Sequence, residues 1–184
     1  MDISDLLKNQ SVIAEASDDM MHLFGPKFTN TPKGHVETDI SAAASLAGLL
    51  ILRNKFPALP AMKPGTVFLS PMDEEMNMIH RFMAGVCGTL DLDPSDGWNT
   101  DIPQANMPLY SIPEMTRRTE KDFLGICGSH DLQKDFFPYA AVLTSMRLVS
   151  AGNKIHVLDQ NIGKALVAYH VYAGARTIPY PESR

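Results

Sequence analysis

Two thiols and the polar residues around them are the part of this sequence best suited to chemistry. Cys87 and Cys127 sit in the same short pattern. Gly85-Val86-Cys87-Gly88-Thr89-Leu90-Asp91-Leu92 is matched 40 positions later by Gly125-Ile126-Cys127-Gly128-Ser129-His130-Asp131-Leu132. Gly, Cys, Gly, Asp and Leu are identical, Val/Ile and Thr/Ser are conservative, and only Leu90 and His130 differ. Upstream, Glu75-Met76 recurs as Glu114-Met115 at nearly the same offset. Zinc takes thiolate, imidazole and carboxylate ligands, and a thiolate beside a base is also a nucleophile or redox group. If the two units meet, Cys87, Cys127, His130, Asp91 and Asp131 could share one metal or redox site. Structural zinc sites, however, usually show paired ligands at short spacing, and each unit here has one cysteine. The apolar neighbours of both thiols also favour burial and low reactivity.

The repeated unit has an architectural meaning as well. A glycine inside a helix costs about 1 kcal/mol against alanine, a cost usually offset by the close approach of another backbone. Gly85 and Gly125 are therefore expected to touch neighbouring helices. Gly88 and Gly128 are expected to take positive φ and stop their helices. Thr89 and Ser129 would then cap a new helical turn. The duplication thus predicts two helix pairs packed about a pseudo-twofold axis, with the corner as their contact. Ala47-Gly48 and Ala173-Gly174 mark further close contacts.

Other chemistry is sparse. The six histidines include no pair at helical metal spacing and no His-Glu-x-x-His. His170, beside Tyr169 on an apolar stretch, is expected to be a satisfied core or interface residue. The run Asp91-Leu92-Asp93-Pro94-Ser95-Asp96-Gly97 has the acids of a calcium loop, but Asp96 stands where the invariant glycine belongs and Ile102 where the bidentate Glu should be. There is no Gly-x-Ser-x-Gly, no phosphate-binding glycine loop and no dinucleotide fingerprint. No catalytic motif is found and no cofactor is implied.

The chain has 11 methionines. Met72, Met76, Ile79, Met83 and Val86 recur at 4-3-4-3 spacing, the seam of a helix that packs along a partner. Methionine fills irregular cores and also lines adaptable binding grooves. Met72, Met76 and Met83, together with Trp98, are the expected ligand or partner surface.

These residues must be positioned by helices. Asp2–Phe24 has an amphipathic stripe that includes Ile13, Ser17 and Met20, ended by Gly25-Pro26. A second helix, Asp39–Arg53, is apolar on nearly every side and so is expected to be central. Thr66–Leu69 could be a short strand. Ser70 and Pro71 then open a third helix that runs to about Cys87, with Asp73, Glu74 and Glu75 at its positive end. Residues 91–113 form a long Pro-rich loop, and loops of that length are often functional. Helices follow from about Pro113 to Cys127, from Pro138 to Gly152, and from an Asp159 cap to Ala173. The last is expected to bury Ile162, Leu166, Tyr169 and Ala173. Lys154–Val157 has some strand character, and 177–184 is an extended tail because Pro179 and Pro181 exclude helix. The fold class is all-α: a single domain over 1–184 of five to seven helices, with an internal helix-corner duplication and at most a trace of β.

Composition supports a stable globular domain. The chain has 184 residues, 45% of them hydrophobic and 20% charged, enough to bury about 70% of its unfolded surface. A net charge of −5 disfavours nucleic acid as a partner. The charge is uneven: 71–101 carries seven acids and one base, whereas 147–184 carries five bases and two acids. The two regions could attract each other within one chain or between chains. The N-terminus is acidic where a secretion signal would be basic. The longest apolar run, Ala42–Leu52, is far short of the about 20 residues that span a bilayer. The cytosol is therefore the expected location, with no membrane partner. The expected function is a helical binding or protein-interaction domain that self-associates as a homo-oligomer. The alternatives are a small enzyme or metal/redox protein centred on Cys87 and Cys127, and a carrier of an apolar small ligand between helices.

Overall fold

The structure is a computed structural model that describes residues 3–69, 71–95 and 97–181. Among these it is all-helical, with eight α-helices, more than the five to seven expected. They are α1 (Ile3–Lys8), α2 (Gln10–Met21), α3 (Pro26–Thr29), α4 (Val36–Lys55), α5 (Asp73–Cys87), α6 (Ile112–Ser129), α7 (Phe137–Lys154) and α8 (Gln160–Gly174). The extra elements come from the N-terminal third. The first amphipathic stretch breaks at Asn9, whose side-chain amide donates to the Asp5 carbonyl at 2.8 Å. The four-residue α3 forms in the proline-containing segment that follows. The Ser70 cap, Asp96 and the end of the tail, 182–184, lie outside the described residues.

α4 is the central element. Every residue from Thr38 to Leu52 is buried, as its lack of a polar face demands. Its main neighbours are α8, α7 and α6. It enters from His35, whose Nδ1 accepts the Thr38 backbone N–H at 3.2 Å. Thr38 itself lies inside the helix, so the cap falls three residues earlier than the hydroxyl of Thr38 would suggest. α7 bridges the molecule by packing on α2, α5 and α8 as well as on α4.

Among the described residues only a trace of β is present. Val67 and Thr177 form an antiparallel bridge. Around it Phe68 N–H donates to the Arg176 carbonyl at 2.7 Å and Ile178 N–H to the Thr66 carbonyl at 2.9 Å. The described part of the tail is therefore extended and anchored along the segment after α4. The strand character expected at Lys154–Val157 is not realised. α7 runs to Lys154, and His156 turns in the left-handed region at φ 57°.

α8 begins where Asp159 caps it, its carboxylate accepting from the Asn161 N–H at 2.8 Å. Its buried side differs from the expected one. Gly163, Leu166, Val167, His170, Val171 and Gly174 face inward, and Tyr169 is 55% exposed. The small residues decide this: only the Gly163/Gly174 side lets α8 lie close to α4 and α7.

Candidate functional site

The two Cys-Gly units are the same structural object. In each, the N–H of Leu92 or Leu132 reaches back to the carbonyl of Cys87 or Cys127 at 3.0 Å. In each, the hydroxyl of Thr89 or Ser129 donates to the carbonyl three residues earlier at 2.8 Å. The left-handed residue that turns the chain is the aspartate: Asp91 at φ 57° and Asp131 at φ 51°. This is a Schellman helix stop, with the cysteine and the leucine forming its apolar contact. Both expectations for the glycines are corrected. Gly88 remains helical at φ −62°, and a Cβ on Gly85, Gly88, Gly125 or Gly128 would meet nothing within 4 Å. Among the described residues no other backbone makes a close approach at these four glycines.

The corners do not assemble a metal site. Among the described residues no group of three or more His, Cys, Asp or Glu is placed to hold an ion. Cys87 and Cys127 are fully buried and unbridged. Burial pushes the Cys127 thiol up to about 12. Burial also raises the Cys87 thiol, against the pull of the Lys164 ammonium. Asp131 is exposed, and Asp91 pairs with Lys154 at 3.0 Å. His130 turns to α2, with Nε2 at 2.8 Å from Asp19 and Nδ1 at 3.7 Å from Glu15. Cys87, Cys127, His130, Asp91 and Asp131, expected to share one metal or redox site, are thus not brought together as a ligand group among the described residues. The Asp91–Lys154 pair also joins the acidic and basic regions within one chain.

The methionine seam is corrected as well. Met72, Met76 and Met83 are buried in the chain's own core, with Met83 fully enclosed. They fill space against the neighbouring helices and offer no surface to a partner. Trp98 is half-buried, and its Nε1 donates to the Pro94 carbonyl at 3.0 Å.

What the sequence hides is the face of α5 next to that seam. Met78, Phe82, Gly85 and Val86, with Thr89 in the turn just past the helix, follow one another at helical spacing, and none is fully buried. Opposite them stand Leu6 and Leu7 of α1 and Gln10, Ile13 and Ala14 of α2, with Leu143 of α7 below. Between these walls lies a groove of about 480 Å³. Its walls are mostly hydrocarbon, and among the described residues the only charged groups lining it are Arg81 and Arg147. Phe82 is held in place by an edge-on contact with Tyr139, ring centres 5.2 Å apart.

The one mismatched position of the repeat sets the two corners apart. His130 ties α2 to the second corner through Asp19, whereas its counterpart Leu90 leaves an apolar wall. Ser150 donates to the Leu90 carbonyl at 2.7 Å and fixes that wall. Comparison with protein-family models, curated proteins and solved structures finds no match to this chain.

Two buried ionisable groups also escaped the sequence reading. Lys164 of α8 is fully enclosed, its Nζ 2.5 Å from the Asp93 carbonyl and 5.5 Å from the centre of the Trp98 ring. The acidic loop expected to look like a calcium loop is thus a cover for a lysine. Its Asp93 N–H is held by Gln160, and Gly97, at φ 96°, leaves no room for a side chain against Asn161. Asp39 lies in the first turn of α4, 5% exposed, with Oδ1 unpartnered. Burial raises it to about 7 although the Gly25 N–H opposes the shift, and Glu37 adds to it. Helical periodicity places these residues but does not signal that their charges are enclosed. No helix among the described residues is long and apolar enough to cross a membrane.

Proposed function

We propose that this protein is a cytosolic binding protein that holds an apolar small molecule in the groove between α2 and α5. The observation that carries the reading is the groove itself. Its volume of about 480 Å³ falls within the range of small-molecule sites, roughly 300–1,000 Å³, and its apolar lining with a few polar groups is their usual chemistry. Gly85 adds support. It sits inside α5 with no neighbour that needs its missing side chain. The about 1 kcal/mol that glycine costs a helix therefore goes unrecovered in packing, and what the glycine provides is open space in the groove.

Gly85→Leu tests the reading. A Cβ there meets nothing within 4 Å, so a leucine side chain is expected to occupy the groove, and leucine is a good helix former. The wild-type chain is expected to bind a neutral apolar dye such as Nile red saturably. The variant is expected to lose that binding while its unfolding midpoint holds or rises. Equal dye binding by both proteins would show that the groove is not the site.

A further inference from the structure

The charges around the groove specify the ligand more closely than its shape does. Both charged groups that line it are arginines, in a protein whose net charge is −5. No described carboxylate lines it. The two arginines are not equivalent. Arg147 is already balanced: its Nη1 lies 2.8 Å from Asp18 Oδ1 and donates to the Ala14 carbonyl at 2.9 Å. Arg81 is exposed and has neither an ion-pair nor a hydrogen-bond partner among the described residues. It stands one helical turn before Gly85, and residues four apart share a helix face. A guanidinium at the edge of the open space over Gly85 is therefore the one unbalanced charge of the site among the described residues.

We propose that the ligand is an amphiphile with a carboxylate head, such as a medium-chain fatty acid. Its hydrocarbon tail lies between α2 and α5 and its carboxylate on Arg81. The planar guanidinium fork meets a carboxylate with two parallel N–H bonds. One unbalanced positive charge suits a single negative charge, whereas a phosphate monoester carries about −1.5 to −2. The inference rests on the groove being the ligand site.

Binding of decanoic acid and of 1-decanol to the full chain, measured by calorimetry at pH 8, tests both levels separately. Wild-type protein is expected to bind decanoate at least about tenfold more tightly than decanol, the effect of a charge-assisted hydrogen bond. Arg81→Gln is expected to abolish the preference by weakening decanoate alone, and Arg81→Lys to restore part of it. Gly85→Leu is expected to exclude both ligands. Equal binding of acid and alcohol by the wild type, or an undiminished acid preference in Arg81→Gln, overturns the carboxylate proposal and leaves the groove standing. Failure of both ligands to bind the wild type overturns the groove reading and this proposal with it.

Discussion

Gly48 and Gly174 face each other where α4 crosses α8, and each occupies the place of a side chain that the other helix's backbone excludes. A Cβ on Gly48 would lie 2.2 Å from the Val171 carbonyl oxygen, and one on Gly174 would lie 2.3 Å from that of Ser45. Backbone atoms on both sides cannot swing away as a flexible side chain could. Gly48→Ala is expected to force the helices apart and to destabilise the fold by about 3 kcal/mol, the upper end of overpacking effects. Urea unfolding at pH 7 measures this. A loss under about 1 kcal/mol would mean that the crossing is looser than the structure shows.

The same substitution has the opposite sign at Gly125. This glycine is exposed inside α6, with nothing within 4 Å of its missing Cβ. Gly125→Ala removes the backbone entropy penalty without adding a clash, so a gain of about 0.5–1 kcal/mol is expected. Unfolding curves of the two variants side by side separate glycines that the fold requires from those it does not.

The contrast shows what the sequence makes legible. α4, α7 and α8 can be read directly, because long apolar stretches bounded by an acidic cap, prolines and glycines leave few alternatives. The two Cys-Gly units, 40 residues apart, also share their corner hydrogen bonds and a left-handed aspartate. Their glycines mislead, because glycine in a helix signals either close approach or deliberately open space, and only the neighbours decide which. Gly48 is the first kind and Gly85 the second. The groove is hidden for a related reason. Two adjacent faces of α5 carry methionine and phenylalanine, and nothing local says that the Met76/Met83 face meets the core while the Phe82/Gly85 face stays uncovered. Arg81 and Gly85, four apart on one helix, are the signal that could have found it.

The thiols make a direct test of the metal and redox reading. Cys87 and Cys127 are fully enclosed and both are raised above their ordinary value by burial. Thiolate is the reactive form, so neither cysteine should react appreciably with a disulfide reagent at pH 8 in the native protein. Both should react at once in denaturant. Rapid native labelling of even one thiol would contradict the enclosed corners.

Lys164 allows a charge to be separated from the stem that carries it. Lys164→Ala empties the space beneath Trp98 and removes the donor to the Asp93 carbonyl, so a loss of about 2–4 kcal/mol is expected. Lys164→Met keeps most of the stem and removes a charge whose desolvation opposes folding. It is expected to stay within about 1 kcal/mol of the wild type. If both variants lose the same stability, the ammonium rather than the packing holds the loop.

Asp39 and His170 should oppose each other in the pH dependence of stability. Burial raises Asp39 from 3.8 to about 7, so between these values the native state holds a proton that the unfolded chain has released. Its contribution is complete below pH 4 and is lost as the pH rises through 7. Burial lowers His170 from 6.5 to about 4, although its bond to the Leu166 carbonyl works the other way. Between those values the unfolded chain holds the extra proton. The His170 contribution is therefore complete above pH 6.5 and is lost as the pH falls through 4. Each acts with a slope of about 1.4 kcal/mol per pH unit, in opposite directions. Glu75 and Asp93 are shifted down and titrate on the acid side of this window. Wild-type stability is expected to be nearly flat from pH 5 to 6.5. Asp39→Asn should unmask the histidine, with stability rising with pH across that range. His170→Gln should unmask the carboxyl, with stability falling from pH 5 to 7. Urea midpoints of the three proteins at several pH values decide it, and parallel profiles would mean that neither group titrates as its burial dictates.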